Sequence, residues 1–377
     1  MKIALVANCV ESVPPLGYSG IEWIVYFLAS GLGKKGHQVD LYASGNSRKE
    51  DSYNLIPITK THIRGQSWFE KDYKQREVEI MMTMSKVASQ INQRNYDIVH
   101  NHVDRVLMYF ANFINQKIVT TCHSALSPDY RRIAYLDHKD YPYVSISYNQ
   151  RRDCPDLNFV ANIYHGIDID QFHFNEHETE NNNDYMAFLA RMVPEKGVLE
   201  AAQIAHKLKK KLLIAAKVDP ITDIDYYDQV KKYFDNQFCI FKGEIKSQER
   251  ISFLGNARCL ISPIKWEEPF GLIFTEAMST GTPVVAFARG SVPEIIKDGE
   301  TGFIVNSSPE DIRGDWIIKK TGMEGLLEAV EKVYSMNKKE YEQMRLNCRK
   351  HVEDNFTVEK MVENYENVYN KILAKTL

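Results

Sequence analysis

Short apolar segments alternate with amphipathic helical patterns along almost the entire sequence. The predicted strands are Lys2–Ala7, Gln38–Ala43, Tyr96–His100, Lys117–Cys122, Ala187–Ala190, Lys211–Ala216, Phe238–Phe241, Cys259–Ser262 and Pro283–Ala286. Such short buried strands, separated by helices, are typical of parallel sheets covered on both faces. Two series of them predict an α/β protein with two doubly wound, Rossmann-like domains. A boundary is expected at Phe174–Asp184, where the sequence is polar, rich in Asn and Glu, and without periodicity.

Composition excludes several classes of protein. The 377 residues are 44% hydrophobic and 26% charged, as in an ordinary soluble protein with more than one core. A net charge of −3 gives no argument for nucleic acid as a partner. No apolar run is long enough to span a membrane, and the six cysteines lack metal-binding or paired spacing, which favours a reduced, cytoplasmic protein. Residues 1–165 carry 19 Lys/Arg and 16 Asp/Glu, a net +3, which is compatible with weak peripheral contact with an anionic membrane.

The segment from Pro263 to Val285 carries the clearest chemical signal. Glu268 and Glu276 lie eight positions apart, and Phe270-Gly271 is predicted to turn into a helix that runs to Ser279. A helix N-terminus presents free N–H groups and positive potential, which bind anions. Carboxylates accept hydrogen bonds from hydroxyls. Together these groups suit a nucleotide sugar, which has phosphates and hydroxyls.

This segment resembles the E-x7-E signature of the family-four retaining glycosyltransferases. The resemblance implies that Glu268 binds hydroxyls of the transferred sugar and that Glu276 binds the ribose of the nucleotide. It also places Phe270, Gly271 and Leu272 in the donor-binding site.

A second segment, Ala190-Arg191 to Lys196-Gly197, follows a predicted strand and precedes a predicted helix. It resembles the family's G-R-x-x-x-x-K-G motif, with Ala190 in place of the usual Gly. The resemblance implies that Arg191 and Lys196 bind the donor diphosphate. Two fixed cations could stabilise the charge that develops on a departing nucleoside diphosphate without a metal ion.

Several N-terminal and central motifs extend the resemblance over most of the chain. The Ser19-Gly20 pair looks like the end of the family's glycine-rich loop, so Gly20 is expected to lie against the donor. His123 resembles a strand-end histidine near the reacting centre, and Gly243 a residue of the loop near the base. His165-Gly166-Ile167-Asp168 resembles the family's N-G-I-D turn and is interpreted as architectural.

The family has the GT-B fold, so the resemblance implies two Rossmann-like domains facing across a cleft. The domains are predicted at residues 1–174 and 175–355, with helix 356–377 packing back on the first. The implied reaction is transfer of a hexose, UDP-glucose being the default donor, with retention and by a front-face path. His123, Arg191, Lys196 and Glu268 are the predicted catalytic residues, and no metal cofactor is expected.

Alternatives remain at this point. A metal-dependent transferase would need a D-x-D motif, for which Asp168-x-Asp170 and Asp223-x-Asp225 have the spacing, although neither ends a predicted buried strand. An epimerase, a hydrolase or a non-catalytic nucleotide-sugar sensor would share the donor site. The acceptor, whether a glycan, a lipid-linked sugar or a small molecule, is not indicated by the sequence.

Overall fold

The structure of the protein is a computed structural model that describes most of the chain. The described residues are 1–17, 19–69, 71–174, 184–219 and 222–374. The chain divides into two compact units, Met1–Gly166 with Val358–Leu377, and Ile167–Thr357. Each unit is built on one parallel sheet with helices, which confirms the predicted fold class.

The change from the first unit to the second comes at Gly166–Ile167, eight residues before the predicted boundary segment, whose residues 175–183 lie outside the described residues. Residues 167–174 are held in the second unit by backbone hydrogen bonds. The Ile167 N–H donates to the Phe356 carbonyl over 2.9 Å, and the Arg349 guanidinium donates to backbone carbonyls in this segment. These bonds come from residues far along the chain, so local composition did not reveal them.

The first unit has a seven-stranded parallel sheet. Its strands are β1 (Lys2–Val6), β2 (Gln38–Ser44), β3 (Asn54–Thr59), β4 (Ile98–Asn101), β5 (Ile118–Thr121), β6 (Tyr143–Ser145) and β7 (Phe159–Asn162), in the order β3-β2-β1-β4-β5-β6-β7. Its helices are α1 (Gly20–Lys34), α2 (Tyr73–Asn92), α3 (Arg105–Met108), α4 (Asp129–Leu136) and the chain-terminal α12 (Val358–Leu373), with 3-10 turns at Ala111–Phe113 and Asn149–Asp153. Central strand β1 is almost wholly buried, as its apolar sequence predicts.

The terminal helix α12 belongs to the first unit because its apolar face is buried there. Tyr365 and Tyr369 are fully buried, and the helix packs against α1. The Lys117 ammonium donates to the Ile372 carbonyl over 2.8 Å. This bond gives a partner to a carbonyl in the last turn of the helix, where carbonyls lack partners within the helix.

The second unit has a six-stranded parallel sheet. Its strands are β8 (Tyr185–Arg191), β9 (Lys211–Lys217), β10 (Cys239–Gly243), β11 (Cys259–Ser262), β12 (Val284–Phe287) and β13 (Gly302–Val305), in the order β10-β9-β8-β11-β12-β13. Its helices are α5 (Val198–Leu208), α6 (Ile224–Lys231), α7 (Ser247–Gly255), α8 (Leu272–Ser279), α9 (Val292–Ile295), α10 (Gly322–Ser335) and α11 (Lys338–Asn355), with a 3-10 turn at Pro194–Lys196.

Both sheets reverse their strand order beside their first strand. In the first unit the reversal lies between β1 and β4, and in the second between β8 and β11. In open α/β sheets, ligands bind outside the carboxyl ends of the strands at such a reversal. The loops that follow these four strands are therefore where binding residues are expected.

Candidate functional site

Lys196 and Glu268 meet at the sheet reversal of the second unit. Lys196 ends the 3-10 turn after β8, and Glu268 lies in the loop after β11, the neighbouring strand. The Lys196 ammonium donates to the Glu268 carboxylate over 2.5 Å. Both side chains are only partly exposed, so water screens the pair incompletely. Lys196, which is predicted to bind the diphosphate, and Glu268, which is predicted to bind the sugar, are thus in direct contact.

Trp266 contacts both members of this pair, and these contacts were not predicted from the sequence. Its indole N–H donates to the same Glu268 oxygen over 3.2 Å, and the Lys196 ammonium lies 4.8 Å from the centre of its ring. The backbone of Glu268 is also fixed, because the Ser291 N–H donates to its carbonyl over 2.9 Å. Glu268 is consequently held in one place by its side chain and its backbone.

Gly271 allows the loop after Glu268 to enter helix α8. Its φ is +79°, a conformation that side chains disfavour, and an added Cβ would lie 2.5 Å from the Phe274 ring and 3.2 Å from Glu268 Cγ. Leu272 begins the helix, directly after the predicted turn at Phe270-Gly271, and Ser279 ends it as predicted. Phe270 is 2% exposed and packs edge-on against Phe356, so its side chain belongs to the core.

Glu276, inside α8, is buried and paired with Arg250 of α7. The Arg250 guanidinium donates to the Glu276 carboxylate over 2.8 Å, and both side chains are about nine-tenths buried. A buried carboxylate requires such a partner. Arg250 was missed by the sequence analysis because it belongs to a different helix and to none of the motifs.

Arg191, the last residue of β8, has a separate partner. One terminal nitrogen of its guanidinium lies 3.4 Å from the carboxylate of Asp223, and about half of the side chain is exposed. Asp223 itself is buried and accepts hydrogen bonds from the Asp219 N–H and the Thr222 hydroxyl. Arg191 is therefore held at the end of its strand while much of its charge faces water.

Two further residues from the sequence analysis lie near ends of second-unit elements. Gly243 ends β10 with φ +73°, and no atom would lie within 4 Å of an added Cβ. The backbone there is open to a ligand. Asp168 caps its own turn, since its carboxylate accepts the N–H groups of Asp170 and Gln171.

A salt-bridge cluster braces the loop that carries Glu268. The carboxylate of Glu267 accepts bonds from Arg313 at 2.7 Å, Arg289 at 3.2 Å and the Gly290 N–H at 2.7 Å. Asp311 pairs with the same two arginines. Burial raises the pKa of the Glu267 carboxyl, but these donors outweigh it and lower that pKa overall. We call Glu267, Arg289, Asp311 and Arg313 the Glu267 cluster.

In the first unit, His123 lies just beyond the end of β5 and is buried among other histidines. Its Nε2 is 2.8 Å from Nδ1 of His102, and its ring stacks on that of His165. His102 in turn contacts His100 over 3.2 Å. Burial lowers the pKa of His123 to about 4 and holds the pKa values of the other three well below the usual range. All four imidazoles are therefore neutral near pH 7.

Gly20 begins helix α1, after β1 at the sheet reversal of the first unit, while Tyr18 lies outside the described residues. The buried Glu22 in the first turn accepts hydrogen bonds from the Ser19 hydroxyl and the Asn8 amide. Burial raises the pKa of Glu22. This carboxylate holds the glycine-containing loop against β1.

Two sequence-family models match adjacent parts of the chain. The model described as "Glycosyltransferase Family 4" matches residues 18–170, and the model described as "Glycosyl transferases group 1" matches residues 169–351. The chain belongs to the family-four glycosyltransferases. The residues that the resemblance assigned to the donor thus occur in the matched regions, and the enzyme class predicted from the motifs is confirmed.

Full-length similarities agree with this family. N-acetyl-alpha-D-glucosaminyl L-malate synthase of Bacillus anthracis is 23% identical, over 99% of this chain and 98% of its own. Sucrose-phosphate synthase from Thermosynechococcus elongatus has a TM-score of 0.78 at 18% identity, covering 99% of both chains. Anabaena Alr3699/HepE in complex with UDP-glucose has a TM-score of 0.71 at 15% identity, covering 98% of this chain and 100% of its own. The fold of this glycosyltransferase is GT-B.

The described residues contain neither a helix that could span a membrane nor a cluster of metal ligands. Among them, no helix is long and apolar enough to cross a membrane. Over the same ranges, no group of three or more His, Cys, Asp or Glu side chains is arranged to hold a metal ion.

Proposed function

We propose that this glycosyltransferase moves a glucosyl group from UDP-glucose to a hydroxyl of an acceptor, with retention at the anomeric carbon and without a metal ion. The observation that carries the proposal is the contact between Lys196 and Glu268 at the sheet reversal of the second unit. A cation binds a diphosphate, and a carboxylate accepts hydrogen bonds from sugar hydroxyls. A cation and a carboxylate in contact therefore suit a ligand in which a diphosphate is joined to a sugar.

Each group of the nucleotide sugar would be bound by particular residues. The diphosphate would take the ammonium of Lys196, the exposed guanidinium of Arg191 and the free N–H groups at the start of α8. The sugar hydroxyls would donate to Glu268, and the ribose hydroxyls to Glu276. The choice of UDP-glucose rests on the solved complex of Anabaena HepE with that compound.

The proposed chemistry is a front-face transfer in which the departing diphosphate helps to deprotonate the acceptor hydroxyl. As the bond to the leaving group breaks, negative charge grows on the β-phosphate oxygens. Lys196 and Arg191 are already in place to stabilise that charge, so little reorganisation is needed at the moment of reaction. These two cations are also the reason to propose that no metal ion takes part.

The test is turnover of UDP-glucose, followed as released UDP in the presence of EDTA with a panel of sugar, lipid-linked and small-molecule acceptors. Lys196→Met should lower kcat by roughly 10²- to 10³-fold, because a donor to the transition-state charge is removed. Lys265→Met is the matched control: Lys265 lies in the same loop as Glu268 and pairs with Glu200 over 2.5 Å. Its turnover should equal that of the wild type. Equal losses in both variants, or activity only with a divalent ion, would contradict the proposal.

A further inference from the structure

Three buried histidines of the first unit form a continuous chain of hydrogen bonds that ends at Tyr369 and Thr121. We call His100, His102 and His123 the histidine chain. His123 Nε2 lies 2.8 Å from His102 Nδ1, and His102 Nε2 lies 3.2 Å from His100 Nδ1. His100 Nδ1 is also 2.6 Å from the Tyr369 hydroxyl, and His100 Nε2 is 2.7 Å from that of Thr121.

Because each of these imidazoles is neutral, each carries one N–H, and each contact between two rings needs one hydrogen. Only two arrangements satisfy both ring contacts. In the first, all three rings are protonated at Nε2, and His123 donates to His102, which donates to His100. In the second, all three are protonated at Nδ1, and every bond runs the other way. His102 therefore links the tautomer of His123 to that of His100.

The partners at the two ends favour the first arrangement. With His100 protonated at Nε2, that N–H donates to Thr121, and the single lone pair of the bare Nδ1 is shared by the Tyr369 hydroxyl at 2.6 Å and the His102 N–H at 3.2 Å. In the second arrangement the Tyr369 hydrogen and the Nδ1–H of His123 both lack acceptors, since His100 is the partner of Tyr369 and His123 Nδ1 has none within the described part of the chain. The second arrangement thus leaves two buried hydrogens without an acceptor, whereas the first leaves one shared acceptor and one bare acceptor, which costs less.

We propose that His102 is a positioning residue, which holds His123 as a neutral imidazole protonated at Nε2 and leaves its Nδ1 to accept a hydrogen bond from a hydroxyl of the transferred sugar. The inference rests on the proposed function for the sugar, and on the family resemblance that assigns His123 to the reacting centre. His123 Nδ1 is buried and has no protein partner among the described residues, so it is the atom of the histidine chain that is left for a ligand.

A neutral acceptor suits the reaction better than a cationic one. Positive charge develops at the anomeric carbon as the bond to the leaving group breaks, and an imidazolium nearby would oppose it. The hydrogen bond to His102 fixes the tautomer, and burial keeps the ring neutral because it lowers the pKa of His123 to about 4.

The test uses the full-length protein labelled with ¹⁵N at histidine, since protonated and bare ring nitrogens have well-separated chemical shifts. In the wild type we expect His123 to show a protonated Nε2 and a bare Nδ1 near pH 7. His102→Leu removes the acceptor, so the fixed tautomer of His123 should be lost. His102→Gln should restore it, because a glutamine carbonyl can accept from His123 while its amide donates to His100. A wild-type His123 protonated at Nδ1, or an unchanged tautomer in His102→Leu, would overturn the inference.

Ligands separate this inference from the proposed function. UDP-glucose should move the Nδ1 resonance of His123, whereas UDP, which lacks the sugar, should not. In His102→Leu, kcat with UDP-glucose should fall about 5- to 10-fold while the affinity for UDP stays at the wild-type value, and His102→Gln should recover most of the turnover. If UDP binds and UDP-glucose leaves Nδ1 unmoved, the sugar contact is wrong and the donor site stands. If UDP does not bind the wild type, the proposed function fails, while the tautomer spectra still decide the role of His102.

Discussion

At the scale of single residues, the charged groups of the candidate donor site are paired before any ligand arrives. Lys196 is bonded to Glu268, Glu276 to Arg250, and Arg191 lies against Asp223. The pairing matters most for Glu276 and Arg250, because both of these charges are buried. A diphosphate and its sugar would replace these contacts with bonds of the same kind, to side chains that their present partners already hold in place.

The buried pair of Arg250 and Glu276 gives a prediction about stability. Arg250→Met should lower the free energy of unfolding by about 3–5 kcal/mol, because a buried carboxylate loses its partner. The double variant Arg250→Met with Glu276→Leu should recover much of this loss, since no charge then remains buried. Denaturant unfolding followed by circular dichroism measures both. A double variant no more stable than the single one would show that the pair is not the cause.

At the scale of secondary-structure elements, the start of α8 sets the position of Glu268. The loop after β11 turns sharply at Gly271, where a side chain has no room, and its other side is fixed by Ser291 and by the Glu267 cluster. This arrangement joins the carboxylate to a strand end and to a helix start, two of the more rigid parts of such a fold.

Gly271→Ala should reduce both stability and turnover. The added methyl group must adopt a disfavoured φ, at about 1–2 kcal/mol, and must also displace the Phe274 ring or Glu268. Gly36→Ala is the matched control: Gly36 has φ +88° but no atom within 4 Å of an added Cβ. Thermal unfolding should show the larger loss for Gly271→Ala, and only that variant should lose turnover of UDP-glucose. Similar behaviour of the two variants would mean that backbone strain alone matters.

The Glu267 cluster predicts an effect on turnover through the loop. Glu267→Gln keeps the size of the side chain but removes the charge that holds Arg289 and Arg313, so the loop should become more mobile. We expect a several-fold lower kcat with UDP-glucose and faster amide hydrogen exchange at the loop after β11. Glu300→Gln, at an exposed pair with Lys297, is the control and should change neither. Unchanged exchange in Glu267→Gln would show that the cluster does not brace the loop.

At the scale of the whole molecule, two parallel sheets each reverse their strand order, and the candidate residues follow the strands at those reversals. His102 follows β4 and Gly20 opens the helix after β1, while Arg191 ends β8 and Glu268 follows β11. In both units, therefore, the candidate residues follow the strands at the reversal. The first unit has neutral imidazoles there, and the second has cations and carboxylates.

The buried histidines predict how stability depends on pH. They are neutral in the fold, whereas in the unfolded chain a histidine titrates near pH 6.5. Between about pH 6.5 and pH 4 the unfolded chain therefore binds more protons, and the free energy of unfolding should fall as the pH falls through this window. Each such histidine contributes up to about 1.4 kcal/mol per pH unit. His165→Asn should make the dependence shallower, as measured by melting temperature against pH. A slope unchanged by this variant would contradict the origin we give.

The sequence predicted most of the architecture because the signals involved are local. The apolar runs of β1, β11 and β12 are nearly fully buried strands, and the glycine-containing segments end or begin helices where expected. The predicted strands do not include β3, β6, β7 and β13. Strands β3 and β7 are partly buried and lie at sheet edges, whereas β6 and β13 are buried but only three and four residues long. Edge strands lack the continuous apolar run that marks a central strand.

The parts of the site that were missed depend on contacts between distant elements. Arg250 and Arg313 belong to no recognised motif, and each acts by contacting a glutamate in another part of the chain. His102 is separated from His123 by 21 residues, and only the pairing of β4 with β5 brings them together. Such partners can be found only when the sheet order is known.

The most direct test of the account is calorimetric titration of the full-length protein with UDP in the presence of EDTA. We predict that the wild type and Lys265→Met bind UDP with equal affinity. Lys196→Met and Glu276→Gln should each bind at least about 10-fold more weakly, because each loses a hydrogen bond that involves a charged group. Equal binding by all four proteins, or binding only when a divalent ion is added, would contradict a metal-free donor site at these residues.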